Sequence, residues 1–409
     1  MENKISKNKS VLVVFSQGGH ISHELQYLTE NFCGIVVKDF REVPQMSNDK
    51  RVYICGDLTE FDSNGTFVYV IKELSQNYEN LNPDNVQLIT LGQVPVVVHE
   101  AGVYFRHFFQ EEEYFHKIKS EHEFQHLTES SKPSKALRKG IYITEVVKEE
   151  VEGNTGENQE LLHYRLLRCS SNLTGPTDNF RNTDHKIIEA LNKAASQVFE
   201  QKTSLNHVLA QVYENRKTTG AKVKEVKAKI KAHSDKTKDM LEDGLIAFCT
   251  FYDQTDFQHL EPSKTDRYDW CYKNKTGLTS LHFKLKNSVE DNSLVKELTV
   301  TLYPNSVFII PLSTNRLYTH AIKPSILNID RIPTRMGYVV RSSKAEAVFM
   351  NDTTYLKENG ELIKLEQMTQ ETVADLRTSY YKENTTETQV VYGKVHFSMN
   401  LGDYQKPIY

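Results

Sequence analysis

Two histidines and an aspartate in the second half of the chain are the residue types that bind a metal ion. His233 and Asp235 are one residue apart, at the centre of the stretch KIKAHSDKTKDM. Residues i and i+2 of a β-strand point to the same face, so this imidazole and this carboxylate can reach one metal ion together. A further histidine on a neighbouring strand would complete a set that suits non-heme Fe(II), because it leaves coordination positions open.

A second candidate metal site is the HExxH match in the segment HEFQH. On a helix, His122 and His126 would share one face and could hold zinc, with Glu123 between them as a general base. The third ligand would come from one of three downstream residues: Glu149, Glu150 or His163. The alternative interpretation is a solvated helix face rich in histidine and glutamate.

A glycine pair and a His-x-Glu tripeptide are the remaining candidate motifs. Gly18-Gly19 follows an apolar strand pattern, but the full GxGxxG and GxxxxGK patterns are absent, so we predict a structural turn. His259 and Glu261 are an alternative to His233 and Asp235 as a pair of metal ligands, and they lie closer in sequence to His320.

Composition excludes some classes of function. The 409 residues carry a net charge of −4, so no global basic field indicates nucleic-acid binding. The five scattered cysteines contain no CxxC pair, which fits a reducing compartment. Apolar runs are too short for a signal peptide or a membrane span. We therefore expect a soluble, intracellular protein, cytoplasmic or nuclear, without a membrane partner.

Local charge is different between residues 216 and 238, where lysine and arginine are frequent. One interpretation is a solvated hairpin beside the sheet. The other is a basic lip around the metal, with Lys227, Lys229 and Lys231, which would favour an anionic substrate such as a nucleic-acid backbone.

The elements that position these residues are mostly strands. Alternating patterns predict a strand with Gln211 and Tyr213 two residues apart, and another in which Arg335 and Arg341 share a face. A helix is expected to begin near Thr183 as N-cap. Its predicted buried stripe is Ile187, Leu191, Ala194 and Val198.

This order of residues resembles the Fe(II)/2-oxoglutarate dioxygenases, most closely their AlkB-like branch, over roughly residues 200–345. The motif His-x-Asp matches His233 and Asp235, the distal histidine matches His320, and RMGYVVR matches the family's two arginines. The resemblance implies that these three residues bind Fe(II). It also implies that four residues bind the co-substrate: Arg335, Arg341, Tyr213 and Gln211.

Three departures from the family pattern are visible in the sequence. The gap between Asp235 and His320 and the hairpin before His233 are both longer than usual, and Gln211 stands where the family usually has asparagine. For the far carboxylate of 2-oxoglutarate we expect a bidentate contact with Arg335. Arg341 is expected to bind the keto-acid end or to approach the substrate.

The resemblance implies an α+β protein with a double-stranded β-helix, or jelly-roll, core and flanking helices. We expect an N-terminal α/β region over residues 1–90, a dioxygenase domain over 91–355 with its core at about 200–345, and a peripheral C-terminal extension over 356–409. The implied reaction uses Fe(II), oxygen and 2-oxoglutarate to hydroxylate an alkyl C–H bond. Ascorbate is the minor alternative to 2-oxoglutarate, by a looser similarity of AHSDKTKDM to a TET-related enzyme.

The substrate stays open between several classes. A methyl group on a DNA or RNA base would require base flipping and aromatic walls. The candidate walls are Tyr104, Phe105, Phe108, Tyr142 and Trp270. The alternatives are a small-molecule or protein side-chain hydroxylase, a zinc hydrolase acting through HEFQH, and a jelly-roll module without catalytic activity.

Overall fold

The N-terminal part of the chain forms a parallel sheet with one α-helix. The computed structural model describes residues 2–15, 22–45, 50–110, 113–129, 132–152, 158–169, 173–218 and 224–409. The predicted turn at Gly18-Gly19 lies outside these residues. The first elements are β1 (Ser10–Val14), α1 (His23–Asn31), β2 (Ile35–Val37), β3 (Arg51–Asp57), β4 (Val68–Gln76) and β5 (Val86–Ile89). The parallel strand order is β2-β1-β3-β4-β5.

The next elements lead into the main sheet. They are β6 (Val96–Val98), β7 (Gly102–Phe105), α2 (Tyr114–Glu121), β8 (Gln125–Glu129), β9 (Lys132–Thr144), β10 (Val147–Glu152), β11 (Asn158–Leu166), β12 (Asp178–Asn179) and α3 (Asn182–Val198). The predicted stripe of α3 is buried as expected. The helix begins earlier than predicted, since Thr183 lies inside it and the Asp184 carboxylate accepts the N–H of Arg181 at 2.8 Å.

The central part of the chain is almost entirely strand. Its elements are β13 (His207–Tyr213), β14 (Arg216–Lys217), β15 (Glu225–Val226), β16 (Ile230–His233), β17 (Leu245–Tyr252), β18 (Glu261–Pro262), β19 (Trp270–Tyr272), β20 (Lys275–Thr276), β21 (Ser280–Leu285), β22 (Glu297–Thr301), β23 (Ser306–Pro311), α4 (Leu312–Leu317), β24 (Tyr318–Lys323) and β25 (Arg335–Arg341).

The C-terminal part adds three strands and a helix. They are β26 (Ala345–Met350), β27 (Thr353–Glu358), β28 (Glu361–Lys364) and α5 (Gln370–Thr385). The strands extend the β10-β11 hairpin into an antiparallel sheet of order β10-β11-β26-β27-β28. Short 3-10 helices span Phe40–Gln45, Pro83–Asn85, Leu91–Gln93, Gln254–His259, Ile329–Arg331 and Leu401–Tyr404.

Two facing sheets share eight strands of the central part: β13, β16, β17, β21, β22, β23, β24 and β25. Other strands extend the larger of the two sheets. The larger sheet has the order β12-β9-β13-β25-β17-β23-β7-β6, with β8 beside β9, and the smaller has the order β16-β24-β21-β22. From β13 to β25 the chain alternates between these two sheets, apart from the hairpin β21-β22 and the small elements inserted in the connections. Neighbouring strands of these eight are antiparallel.

The larger sheet is buried on both faces, which explains its near-continuous apolar strands. Its inner face meets the smaller sheet through side chains such as Phe248, Phe308 and Phe283. Its outer face carries Val340 and Cys249 and packs against α2 and α3. The chain is thus of mixed α/β structure and mostly β. In the described residues, no helix is long and apolar enough to cross a membrane.

Candidate metal centre

His233 and His320 face each other on neighbouring strands of the smaller sheet. The register of β16 and β24 pairs the two residues, and their ring centroids are 4.5 Å apart. Asp235 lies just beyond β16, with Oδ1 3.5 Å from Nε2 of His233 and 3.7 Å from Nε2 of His320. The three ligand atoms lie within 4.8 Å of one another, so a single metal ion can reach all of them.

The two imidazoles differ in their surroundings. Nδ1 of His233 lies 2.9 Å from the carbonyl oxygen of Lys231, which can only accept, so Nδ1 carries a proton and Nε2 is the nitrogen that faces Asp235. His320 is buried against Phe248 and Phe283. Burial, followed by the charge of His233, lowers the pKa of His320 to about 3, so this ring is neutral at neutral pH.

Asp235 is held by Arg341. Nε and Nη2 of Arg341 each lie 2.7 Å from Oδ2, which leaves Oδ1 facing the imidazoles. Burial raises the pKa of Asp235, but Arg341 and the two histidines outweigh it and hold the pKa well below its usual value. The carboxylate is therefore ionised and ready to bind a cation. Nη1 of Arg341 is buried without a hydrogen-bond partner among the described residues, so the expectation that this arginine also binds the co-substrate or approaches the substrate stays a prediction.

The backbone around Asp235 is fixed by Asn315 of α4. Its Oδ1 accepts the N–H of Asp235 at 2.8 Å, and its Nδ2 donates to the carbonyl oxygen of Asp235 at 2.9 Å. The Ser234 hydroxyl donates to the carbonyl oxygen of Tyr318, the first residue of β24. The sequence contains no signal for the Asn315 contact, because the two residues are 80 positions apart.

Arg335 is a buried cation without an anion. It is 3% exposed, and its Nε and Nη2 have no hydrogen-bond partner among the described residues. Its Cζ lies 3.9 Å from the ring centroid of Tyr213, whose hydroxyl donates to Oε1 of Gln211 at 3.3 Å. Among the described residues no carboxylate forms an ion pair with Arg335. A buried, unpaired guanidinium is costly, and a bound anionic ligand would remove that cost.

Gly337 leaves room for the guanidinium of Arg335 on the inner face of the larger sheet. The register places Gly337 between Gln211 and Thr250 on the inner face of the larger sheet. A Cβ at position 337 would lie 3.0 Å from Nη1 of Arg335, so the guanidinium bends back along its strand over the glycine. The hydroxyl of Thr250 is buried and has no hydrogen-bond partner among the described residues. Thr250 was missed in the sequence, where an apolar strand gives no reason to single out one threonine.

The HExxH segment does not form a zinc helix. α2 ends at Glu121, and His126 lies on β8, so the two histidines do not share a helix face. Nδ1 of His122 lies 2.7 Å from Oδ2 of Asp178, and Nε2 lies 2.8 Å from Oδ2 of Asp184. Burial opposes protonation of His122, but the two aspartates outweigh it and raise its pKa to about 9. The prediction that His122 and His126 share a helix face is therefore wrong, and His122 links α2 to α3. The ligand atoms of Glu121, His122 and Asp184 nevertheless lie within 4.8 Å of one another and form a second group that could hold a metal ion.

The rival pair His259 and Glu261 is not brought to a third ligand. His259 ends a 3-10 helix, and Glu261 is exposed at the start of β18. In the part of the chain that the structure describes, neither belongs to a group of ligand atoms that converge on one point.

Four of the predicted aromatic walls are packing residues. Tyr104 and Phe105 are buried in β7, Phe105 packs on Phe108 with ring centroids 5.0 Å apart, and Trp270 packs in a small cluster near β19. Tyr142 is different, because it lies on the inner face of the larger sheet that faces the metal centre.

The predicted basic lip divides into structural and free lysines. Nζ of Lys227 donates to the carbonyl oxygens of Ser325 and Leu327, at 2.9 and 2.5 Å, so this lysine is part of the fold. Lys229 and Lys231 are exposed.

No protein-family model matches the chain, and no curated protein matches it. A solved structure titled "The structure of OsALKBH1" is similar at 13% sequence identity, with a match that covers 59% of this chain and 96% of that one. Its TM-score is 0.33, which does not establish a shared fold, so the geometry of the site carries the functional inference.

Proposed function

We propose that the protein is an Fe(II)-dependent oxygenase that uses 2-oxoglutarate to hydroxylate an alkyl C–H bond. The observation that carries this proposal is the combination of three converging ligand atoms with a buried, unpaired guanidinium in the same two-sheet core. The ligands are His233, Asp235 and His320, and the guanidinium belongs to Arg335.

The strand order supports a jelly-roll core. Numbered one to eight from β13 to β25, the strands occur as 1-8-3-6 in the larger sheet and 2-7-4-5 in the smaller. Eight antiparallel strands divided in this way between two sheets fit a double-sheet jelly roll. We propose this core for residues 200–345, within a catalytic unit over 91–355, with separate regions at 1–90 and 356–409.

The donor set fits Fe(II). The residues that would hold the metal are two histidines and one ionised carboxylate, a set that suits Fe(II) and leaves positions for a co-substrate and oxygen. Bound iron, with oxygen and 2-oxoglutarate, supplies the oxidation of a C–H bond to C–OH, and releases succinate and carbon dioxide. His233 is the least buried of the three ligands, with 35% of its side chain exposed, so the centre is open on that side.

The residues around Gly337 fit the far end of 2-oxoglutarate. Arg335 offers unused donors to the distal carboxylate, and Thr250 offers an unused hydroxyl. The ring of Tyr213 lies against the guanidinium of Arg335, and the Tyr213 hydroxyl donates to Gln211. Nη1 of Arg341 is left for the keto-acid end. Ascorbate, as the alternative co-substrate, has no carboxylate to place against Arg335.

For the substrate we propose a methyl group on a DNA or RNA base as the first class to test, ahead of small molecules and protein side chains. The supporting observation is a groove of about 560 Å³ on the smaller sheet, next to β16. It is lined by Lys229, Lys231, Lys284 and Lys323, with Glu297 as its acidic member. Such a surface complements a phosphate backbone.

The test is succinate release by protein loaded with Fe(II) under anaerobic conditions and then given 2-oxoglutarate and air. We expect slow release without substrate, abolished in His233→Ala and in His320→Ala. His126→Ala is the control, because this histidine lies away from the centre, and it should retain release. Equal release in all variants would contradict the assignment. Turnover with ascorbate and none with 2-oxoglutarate would replace the proposed co-substrate.

A further inference from the structure

We infer that the C-terminal helix α5 raises the affinity of the proposed site for metal, because it holds the loop that carries Asp235 in position. This inference rests on the proposed metal site and extends it to a region that the sequence suggests is peripheral. The loop is defined here as residues 234–237. Two side chains of α5, Glu383 and Asn384, bind its backbone.

Asn384 holds the residue between the two sequential ligands. Its Oδ1 accepts the N–H of Ser234 at 2.7 Å, while its Nδ2 donates to the carbonyl oxygen of Tyr380 at 2.9 Å, one turn earlier in α5. The second contact fixes the orientation of the amide, so that oxygen must face the loop. A shift of α5 would therefore move Ser234, which lies between His233 and Asp235.

Glu383 holds the other end of the loop. It is a buried carboxylate that accepts the N–H of Thr237 at 3.0 Å and also the hydroxyl of Thr237. Nζ of Lys236 donates to the carbonyl oxygen of Tyr380 at 3.1 Å. With Asn315 on the N–H of Asp235, the N–H groups of residues 234, 235 and 237 each have a side-chain acceptor from a helix. Such outer contacts orient metal ligands and raise affinity.

The attachment of α5 to the rest of the protein combines apolar and polar contacts. Among the residues of α5 that are buried, Leu376 and Tyr380 bring apolar surface, and the third is Glu383. Its C-terminal end is held by Lys286, whose Nζ donates to the carbonyl oxygens of Glu383 and Thr386 at 2.5 and 3.0 Å. The contacts with the loop add to this attachment, which also includes the apolar cluster of Leu376, Tyr380 and Phe397 and the bond from the Tyr380 hydroxyl to the carbonyl oxygen of Arg168.

Coupling of this kind acts in both directions. If docking of α5 favours the loop conformation that binds metal, metal binding must favour docking of α5 by the same free energy. Metal should therefore slow amide hydrogen exchange in residues 370–385, although no residue of α5 is proposed as a ligand. A helix that only completes the fold would not respond to metal in this way.

The experiment measures Co(II) binding by calorimetry and amide hydrogen exchange by mass spectrometry in the full chain. We expect Asn384→Ala and Glu383→Ala to raise the dissociation constant for Co(II) by roughly tenfold or more. Glu383→Gln keeps an acceptor oxygen for Thr237 and should restore most of the affinity. Thr385→Ala is the matched control, because its hydroxyl bonds within the helix, to the carbonyl oxygen of Tyr381 at 2.9 Å.

The outcomes separate this inference from the proposed function. No Co(II) binding by the unmodified protein, or unchanged binding in His233→Ala, would contradict the metal site itself. Normal binding in the unmodified protein with equal affinity in both alanine variants would overturn only the role of α5. Should the alanine variants not fold, hydrogen exchange of the unmodified protein decides, since equal exchange of residues 370–385 with and without Co(II) overturns the inference.

Discussion

Nε and Nη2 of Arg341 each lie 2.7 Å from Oδ2 of Asp235, while Oδ1 faces His233 and His320. Both residues are buried, so neither charge is satisfied by water. Arg341 keeps the carboxylate of Asp235 ionised and orients its Oδ1 toward the candidate metal position. Removing one member of a buried ion pair is expected to be more damaging than altering its geometry.

Arg341→Met should destabilise the protein by roughly 3–5 kcal/mol, because Asp235 would remain as a buried, unpaired carboxylate. Arg341→Lys keeps the charge but loses the two-nitrogen grip, so we expect the protein to fold and to bind Co(II) about tenfold more weakly. Denaturant unfolding and calorimetry measure the two effects. Arg267→Lys is the control, because Arg267 also contacts a carboxylate through Nε and Nη2, one on each oxygen of Glu24, but at the surface. Unchanged Co(II) affinity in Arg341→Lys would show that the second nitrogen is dispensable.

Part of the candidate metal centre was predictable from the sequence. The two-residue spacing suggested that His233 and Asp235 lie close together, although β16 ends at His233 and contacts from Asn315 and Arg341 position Asp235. Even spacing places Arg335 and Arg341 on one face of β25. Spacing could not reveal that Arg341 meets Asp235, since that contact depends on how the two sheets face each other. The role of α5 was equally hidden, because Asn384 is 150 residues from its partner Ser234.

The HExxH segment failed for a different physical reason. A helix through this segment needs regular backbone at His122, but that residue is extended, with φ −133° and ψ 147°. Two aspartates from a distant part of the chain, Asp178 and Asp184, bind the two ring nitrogens of His122. A motif defined by five residues contains no information about such partners. The start of α3 differs from the prediction for a similar reason, since the Asp184 carboxylate caps Arg181.

Gly337→Val should weaken the binding of the co-substrate without affecting the metal. The new side chain would collide with the guanidinium of Arg335, whose Nη1 would lie 3.0 Å from its Cβ, and would displace it. Loss of one charged hydrogen bond, roughly 1.5–3 kcal/mol, corresponds to a rise of about tenfold or more in KM for 2-oxoglutarate.

Steady-state succinate release measures this KM, and calorimetry with Co(II) checks the metal site. Gly393→Val is the control, since a Cβ at that position has open space around it. If Gly337→Val left KM unchanged, the co-substrate would have to bind away from Arg335.

Neutralising the exposed lysines of the smaller sheet should reduce the salt dependence of nucleic-acid binding. For each phosphate that Lys229, Lys231 or Lys323 no longer neutralises, the slope of log affinity against log salt should decrease by about 0.7 for a single strand and about 0.9 for a duplex. Fluorescence anisotropy with labelled oligonucleotides over a range of salt gives the slope. The exposed Lys72 and Lys186 lie elsewhere and serve as the control pair. Equal slopes in both sets of glutamine variants would argue against this face and favour a small-molecule substrate.

The link at His122 should make stability fall as pH rises above neutrality. Burial lowers its pKa but Asp178 and Asp184 raise it further, to about 9 in the folded protein. The unfolded value is about 6.5. Between about pH 6.5 and 8 the folded state keeps a proton that the unfolded state loses, so the free energy of unfolding decreases with pH. The slope from this residue is at most about 1.4 kcal/mol per pH unit. Urea unfolding of the unmodified protein and His122→Gln at several pH values gives the difference, because other titrating groups are common to both. A difference that stayed constant over this range would mean that His122 is neutral when folded.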